Sequence, residues 1–310
     1  MKIRGEICFI FLICLIGFVR PAGAQELLDK NVHYFQPVVD GSGMLSTYGS
    51  EALTMFRMHY GLWADDAINP VEYLAHNDRR FVVVENQLAG NLVYSVGFFN
   101  WLNVGFAFPF VAYRRLGDEL DFEGIDSFAL EDMRFDVKGI LFDRRQQCLG
   151  AALLGRVTVP VGYKENNFVS DHYPTVTSLL VVDLGRRWWT VAANLGYKYY
   201  PNPQQSEFLD LRVRDELLLN LGATLRVSTT QQLIVDSATR TFANSPFSEP
   251  DLDYSEIVLA YRNYWQGLNY TALTAGVGFG LLSGIGDPLV RVFIGITRDE
   301  KRLGPGDVYF

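Results

Sequence analysis

Apolar and polar residues alternate along much of this chain with a period of two. In WLNVGFAFPFVAYR, residues 101–114, Leu102, Val104, Phe106, Phe108, Phe110 and Ala112 fall on one side of an extended strand. Asn103, Gly105, Ala107 and Pro109 fall on the other. A strand with so long an apolar face has to bury it, against a second sheet or against lipid. The same pattern predicts strands at 53–63, 80–96, 101–113, 131–141, 148–161, 175–185, 188–199, 214–227, 232–242, 254–263, 268–280 and 289–298. There are twelve of them. Each is near or above the ~9–11 residues with which a tilted strand spans a bilayer.

The connections alternate in length. Short joins at 97–100, 142–147, 186–187, 228–231 and 264–267 are interleaved with long polar stretches at 64–79, 114–130, 162–174, 200–213 and 243–253, plus a compact turn at 283–288. Short turns on one rim and long loops on the other are the plan of an outer-membrane barrel, and an even strand number returns both ends of the sheet to the periplasmic side. The aromatic residues sort the same way. Trp101, Trp188, Trp189 and Trp265 accompany the short turns, with Phe98, Phe99, Phe142 and Tyr264; Trp63, Tyr113, Tyr163, Tyr199 and Tyr200 sit near the long loops. Rings at both levels are the two girdles of a membrane barrel. The fold class predicted is all-β: a transmembrane antiparallel up-and-down β-barrel of 12 strands.

The face opposite the apolar one places Arg57, Glu85, Arg134, Asp136, Lys138, Arg156, Asp183, Lys198, Glu216, Arg226, Asp236, Arg240, Glu256, Arg262 and Arg291 in the lumen. A dry sandwich core cannot hold that many charges, whereas a hydrated lumen can. Nine of these residues are cationic and six anionic, which predicts a net basic interior and a mild preference for anions. Arg134, Asp136 and Arg156 group on neighbouring strands, close enough for an ion pair.

Composition agrees with this reading. Of 310 residues, 49% are hydrophobic, 14% aromatic and 20% charged, with 28 glycines, which suits one large all-β domain. Lys2 and Arg4, the apolar run 7–19 and Ala22-Gly23-Ala24 read as an export signal, so the domains expected are a signal at 1–24, a periplasmic or lumenal segment at 25–50, the barrel at 51–299 and a periplasmic tail at 300–310. Removing the signal takes away Cys8 and Cys14, leaving Cys148 alone, and changes the net charge from −8 to −10 because Lys2, Arg4 and Arg20 depart with only Glu6. Such acidity argues against nucleic acid as a partner.

Several segments resemble, in order, the N-terminal barrels of a group of OmpA-family outer-membrane proteins and phenol-degradation-type transporters. They are NWLNVGFAFPFVAY, LEDMRFDVKGILF, LLGRVTVPVGY, AANLGYKYYP, LRVRDELLLNLGA, NSPFSEPD and GFGLLSGIGDPLVRVFIGI. The resemblance covers about residues 33–298. It implies an outer-membrane barrel, with transport as one role, and supplies no catalytic motif. Members of that group commonly continue into a peptidoglycan-binding domain, but this sequence stops eleven residues after Asp299, so cell-wall anchoring does not carry over. Phe310 resembles the terminal aromatic residue used by barrel-assembly machinery.

Signatures of catalysis are sparse. Gly276, Gly278 and Gly280 alternate along a strand and precede no helix, so they read as a lumen stripe free of side chains rather than a phosphate loop. His59 is inward on the first strand, where a barrel lipase would need a serine partner that spacing does not assign. His33, His76 and His172 are isolated and lack zinc spacing. Asn269-Tyr270-Thr271 matches a glycosylation sequon, which carries no meaning in a bacterial barrel. The acidic loops, with Asp65, Asp66, Glu72 and Asp78, then Asp118, Glu119, Asp121, Glu123 and Asp126, then Glu249, Asp251 and Asp253, read as a solvated surface ahead of a divalent-cation site. No catalytic residue, metal site or cofactor is expected.

Three functions follow. The first is a passive channel or transporter for small solutes; the second is a non-conducting structural or interaction barrel; the third is a hydrolase centred on His59. The partners expected are outer-membrane lipids and lipopolysaccharide, barrel-assembly machinery and small solutes, with room for a periplasmic partner. The location expected is the bacterial outer membrane. The lumen charges have two arrangements open to them, a narrow pore or a closed network, and the inward glycines favour the pore. The segment 25–50 has two places open to it, inside the pore or beneath it.

Overall fold

The computed structural model describes residues 31–74, 80–116, 128–162, 168–171, 173–202, 204–206, 211–248, 253–265, 271–282 and 284–299. The export signal, the tail at 300–310, His76, His172, Tyr163, Asp78, Asp118, Glu119, Asp121, Glu123, Asp126, Glu249 and Asp251 lie outside the described residues.

The strands are β1 (Met58–Leu74), β2 (Arg80–Phe98), β3 (Leu102–Leu116), β4 (Ala129–Leu130), β5 (Met133–Phe142), β6 (Leu149–Val159), β7 (Thr175–Arg186), β8 (Trp189–Tyr199), β9 (Gln204–Ser206), β10 (Leu211–Val213), β11 (Glu216–Arg226), β12 (Gln231–Phe242), β13 (Tyr254–Trp265), β14 (Thr271–Gly280) and β15 (Val290–Asp299). Twelve of them form a closed antiparallel barrel. The seam joins β1 to β15, from His59 opposite Asp299 to Ile68 opposite Val290. β4 adds a short piece beside β3, and β9 and β10 make a separate hairpin. One helical turn, α1 (Arg144–Gln147), closes the β5–β6 connection.

The period-two pattern becomes two walls. On β3, Val104 and Phe106 are exposed while Asn103 and Ala107 are buried. On β7 every second residue is buried, with Val176, Leu180, Val182 and Leu184 facing out. Exposed apolar side chains continue in this way around the whole barrel, far beyond the patches of a soluble monomer, and lipid is the solvent that matches them.

The first strand departs from its expected bounds. It starts at Met58 and runs on through the stretch expected as a long loop. Asp65 interrupts the apolar pattern, but it points inward, where Arg291 pairs with it, so the strand continues. Trp63 belongs to no girdle: it is 2% exposed and packs inside the barrel near Phe35 and Phe293. Tyr200 is likewise buried, whereas Trp101, Trp188, Trp189, Trp265, Tyr113 and Tyr199 are exposed near the rims. The glycine stripe on β14 opens no pore. The place of a Gly276 side chain is taken by the Phe293 ring, and that of Gly278 by the Glu256 carboxylate.

Candidate functional site

The lumen is occupied. Residues 31–57, which lack any strand period, pass through it from one rim to the other. At the rim of the longer connections, Val32 N–H donates to Phe168 O, and Asn31 N–H donates to Asp171 at 3.3 Å. At the rim of the short turns, Phe56 N–H donates to Gly97 O. Both ends of the sheet lie on one rim, as expected, but the chain leading into β1 comes from the opposite one. The segment brings its own apolar residues: Phe35, Val38, Val39, Met44, Leu45 and Tyr48 pack with Trp63, Leu154, Leu179, Ile234 and Phe293 of the wall in one core cluster. The interior is therefore a packed core, not the hydrated space expected from its charges.

Wall side chains satisfy the segment's backbone, as a buried irregular chain requires. Asp236 accepts from three consecutive N–H groups, those of Leu45 (2.7 Å), Ser46 (3.0 Å) and Thr47 (3.2 Å), and from the Thr47 hydroxyl at 2.6 Å. Asn194 treats Tyr48 as a strand neighbour would, accepting its N–H at 2.7 Å and donating to its carbonyl at 2.9 Å. Arg262 donates to Met44 O at 2.7 Å. Nearer the short turns, Lys138 pairs with Asp40 at 2.5 Å and donates to Gly49 O at 2.8 Å. Asp183 accepts from Ser50 N–H at 3.1 Å and Arg144 Nε at 3.0 Å, and Arg144 also pairs with Glu51. Among the described residues, the bonds from segment to wall between His33 and Thr54 all involve a side chain, and none is a sheet pairing.

Of the residues placed in the lumen by parity, Arg134, Asp136, Lys138, Arg156, Asp183, Lys198, Glu216, Asp236, Arg240, Glu256, Arg262 and Arg291 are buried there. Three differ. Glu85 sits at a register shift between β2 and β3, which breaks the parity count and turns it outward to an exposed pair with Arg115 at 2.9 Å. Arg226 has inward parity but ends its strand and is exposed at the rim. Arg57 precedes β1 and is half-buried at the same rim. Asp136 lies directly opposite Arg156, which forks onto it at 2.7 and 2.9 Å while also donating to Tyr48 Oη. Tyr48 Oη in turn donates to Asp136 at 2.5 Å, so a residue of the segment closes this network.

Sequence reasoning missed the polar residues that exist to meet the segment. His33, expected to be isolated, bridges Glu131 at 2.8 Å and Asp65 at 3.0 Å. Asp65 thus belongs to the interior rather than to an acidic loop. Asn103, Asn194 and Gln87 are buried on inward positions whose parity was visible in the alternation. His59 is also inward and lies opposite Ser95 on β2, but no hydrogen bond joins them, and the Ser95 hydroxyl has no partner among the described residues. The base–nucleophile contact of a hydrolase is absent there. No cluster of three or more metal-ligating side chains occurs among the described residues.

No protein-family model and no curated protein matches the chain. Solved structures do. An outer-membrane channel from Pseudomonas putida F1 superposes with a TM-score of 0.64 over 81% of this chain and 97% of that one, at 11% identity. The NanC porin superposes with a TM-score of 0.52 over 77% of this chain and 97% of its own, at 7% identity. At such identities the likeness is one of fold: this chain is a closed twelve-stranded barrel of the kind found in outer-membrane channels.

Proposed function

We propose that this protein is an outer-membrane channel for small solutes that rests closed, with residues 31–57 as its internal gate. One observation carries this reading: a polar lumen filled by a segment that side chains hold in place, so that it can leave without breaking any strand pairing of the wall. The fold shared with channels supports it. The affiliation with OmpA-type and phenol-degradation-type barrels is part of the proposal and supplies none of its residues. So are a Gram-negative outer-membrane location and insertion by barrel-assembly machinery among lipopolysaccharide.

Planar-bilayer recording of the full chain and of a chain lacking residues 31–50 tests the gate. The full chain should be nearly silent, and the shortened one should conduct in steps. A shortened chain that folds and stays silent would favour a non-conducting structural barrel, for which the packed core of the lumen is the supporting observation. Orientation has a built-in probe, because Cys148 is exposed on the short-turn rim. It should resist an impermeant thiol reagent on intact cells and react after the outer membrane is opened. Phe247→Cys in a Cys148→Ser background should label on intact cells.

A further inference from the structure

Two arginines stand side by side where β7 turns into β8, and one of them faces lipid. Arg186 closes β7 on the exposed side of its alternation, after Val182 and Leu184. Directly opposite it stands Trp189, 39% exposed at the start of β8. Arg187 is exposed in the turn itself, with its guanidinium carbon 4.9 Å from the centre of the Trp188 ring. A cation at the end of a lipid-facing apolar row is costly in hydrocarbon and favourable at the level of the headgroups, which exposed tryptophans mark.

Among the described residues no acid answers these two charges. The acids around the turn are engaged elsewhere: Asp183 and Glu51 pair with Arg144, and Asp143 pairs with Arg145. Outward-facing acids sit toward the other rim, where Asp66 lies opposite Val292 near the start of β15 and Glu85 pairs with Arg115. The turn is held on both sides, since Gly185 N–H donates to Cys148 O at 2.9 Å and Arg226 N–H donates to Trp188 O at 2.7 Å. The two guanidinium groups are thus presented on fixed backbone, which lowers the entropic cost of binding. Beyond them the outer wall is apolar: Leu184 lies opposite the exposed Leu149, and Trp189 opposite the exposed Leu225.

We propose that this corner of the barrel binds an anionic phospholipid of the phosphatidylglycerol type, with Arg186 and Arg187 on its phosphate and its acyl chains along Leu149, Leu184 and Leu225. The two oxygens of a phosphodiester match the guanidinium fork, and the indoles of Trp188 and Trp189 lie at the level of the glycerol. An ethanolamine head would bring an ammonium group to a place with two cations and no available acid, so it fits worse than a neutral glycerol head. In the orientation proposed above, the periplasmic leaflet supplies this lipid. Binding itself needs only a lipid-facing wall, so loss of the channel reading would leave the site standing, and loss of the site would leave the channel reading standing.

The test reads the turn's own tryptophans. Full-length protein carrying Trp101→Phe and Trp265→Phe keeps Trp188 and Trp189 at the rim, with Trp63 buried inside the barrel. It is placed in phosphatidylcholine vesicles that contain a fixed fraction of phosphatidylglycerol, phosphatidylethanolamine or phosphatidylcholine brominated near the glycerol end of the acyl chain, where bromine quenches an indole on contact. Brominated phosphatidylglycerol should quench most. Arg186→Gln and Arg187→Gln should each lower that preference roughly twofold to fivefold, the worth of one exposed charge contact. Arg298→Gln alters another outward arginine of the same rim, opposite Tyr60, and should leave the preference unchanged. Glycerol phosphate in excess should not relieve the quenching; relief would assign the arginines to a soluble phosphate and overturn the lipid site. Equal quenching by phosphatidylglycerol and phosphatidylethanolamine, or unchanged preference in a folded double variant of Arg186 and Arg187, would also overturn it. So would an equal loss in Arg298→Gln, which would make the preference a diffuse field of the whole rim. Should the double variant fail to fold, the comparison of the brominated lipids on the natural turn decides alone.

Discussion

Phe106 and Ala107 are adjacent on β3, yet the first is 37% exposed on the outer wall and the second is wholly buried on the inner one, in the same core cluster as Phe35 and Val39. The two walls ask different things of a sequence. The outer wall needs hydrophobicity and little else, because lipid adapts to any apolar shape. The inner wall needs particular partners, because each charge there meets a named atom of the segment or of another strand. Damage to the outer wall should therefore be measured in folding, and damage to the inner wall in closure.

Arginine at the two positions gives the sharpest contrast. Phe106→Arg places a charge on the lipid face at a cost of about 2–4 kcal/mol. Its yield of folded, heat-modifiable barrel on a gel should collapse. Ala107→Arg has no room either, since it would enter the core beside Arg134, its register partner. It should spare the barrel and expel the segment, read as folded yield near normal with open conductance. Equal loss of folding in both would erase the distinction between the walls.

Asp236→Asn is a gentler probe of the inner wall alone. Three N–H donors would keep an acceptor but lose its charge, for a loss of about 1–2 kcal/mol. More frequent openings in single-channel records should report it, with no change in folded yield.

Smaller still is the effect of the upper anchor. His33→Gln loses the ion-paired bridge between Glu131 and Asp65, so openings should become modestly more frequent in single-channel records while folded yield stays unchanged. Last comes Glu85→Gln. Its exposed pair with Arg115 is worth ~0–1 kcal/mol, so neither thermal unfolding nor conductance should move measurably. A large change would return Glu85 to the lumen.

The outer wall was legible in the sequence because its rule is local. Every expected strand is present, and the first ran past its expected end where a residue faced an unseen partner. Asp65 looked like a loop residue until Arg291, from the far end of the chain, stood beside it. Glu85 followed the parity count until a register shift broke it, and no composition marks such a shift. The segment was illegible for the same reason. Val38-Val39-Asp40-Gly41-Ser42-Gly43 has no period because its partners are side chains on many strands rather than one neighbouring strand. The inward charges were found by alternation, but their pairing needed the segment, as Tyr48 between Asp136 and Arg156 makes plain.

The seam between β1 and β15 has a kinetic meaning. Residues 31–57 leave the ribosome before every strand that will hold them, yet Leu45 is bonded to a carboxylate 191 positions later and Met44 to a guanidinium 218 positions later. Contacts of such sequence separation form late, since the loops they close must first lose their entropy. Until β15 meets β1 there is no enclosed space for the segment to occupy. The sheet is thus expected to curl around its own beginning, with the final strand pairing and the filling of the interior as one event. A folding defect in β15 and a packing defect near Tyr48 should then slow the same phase.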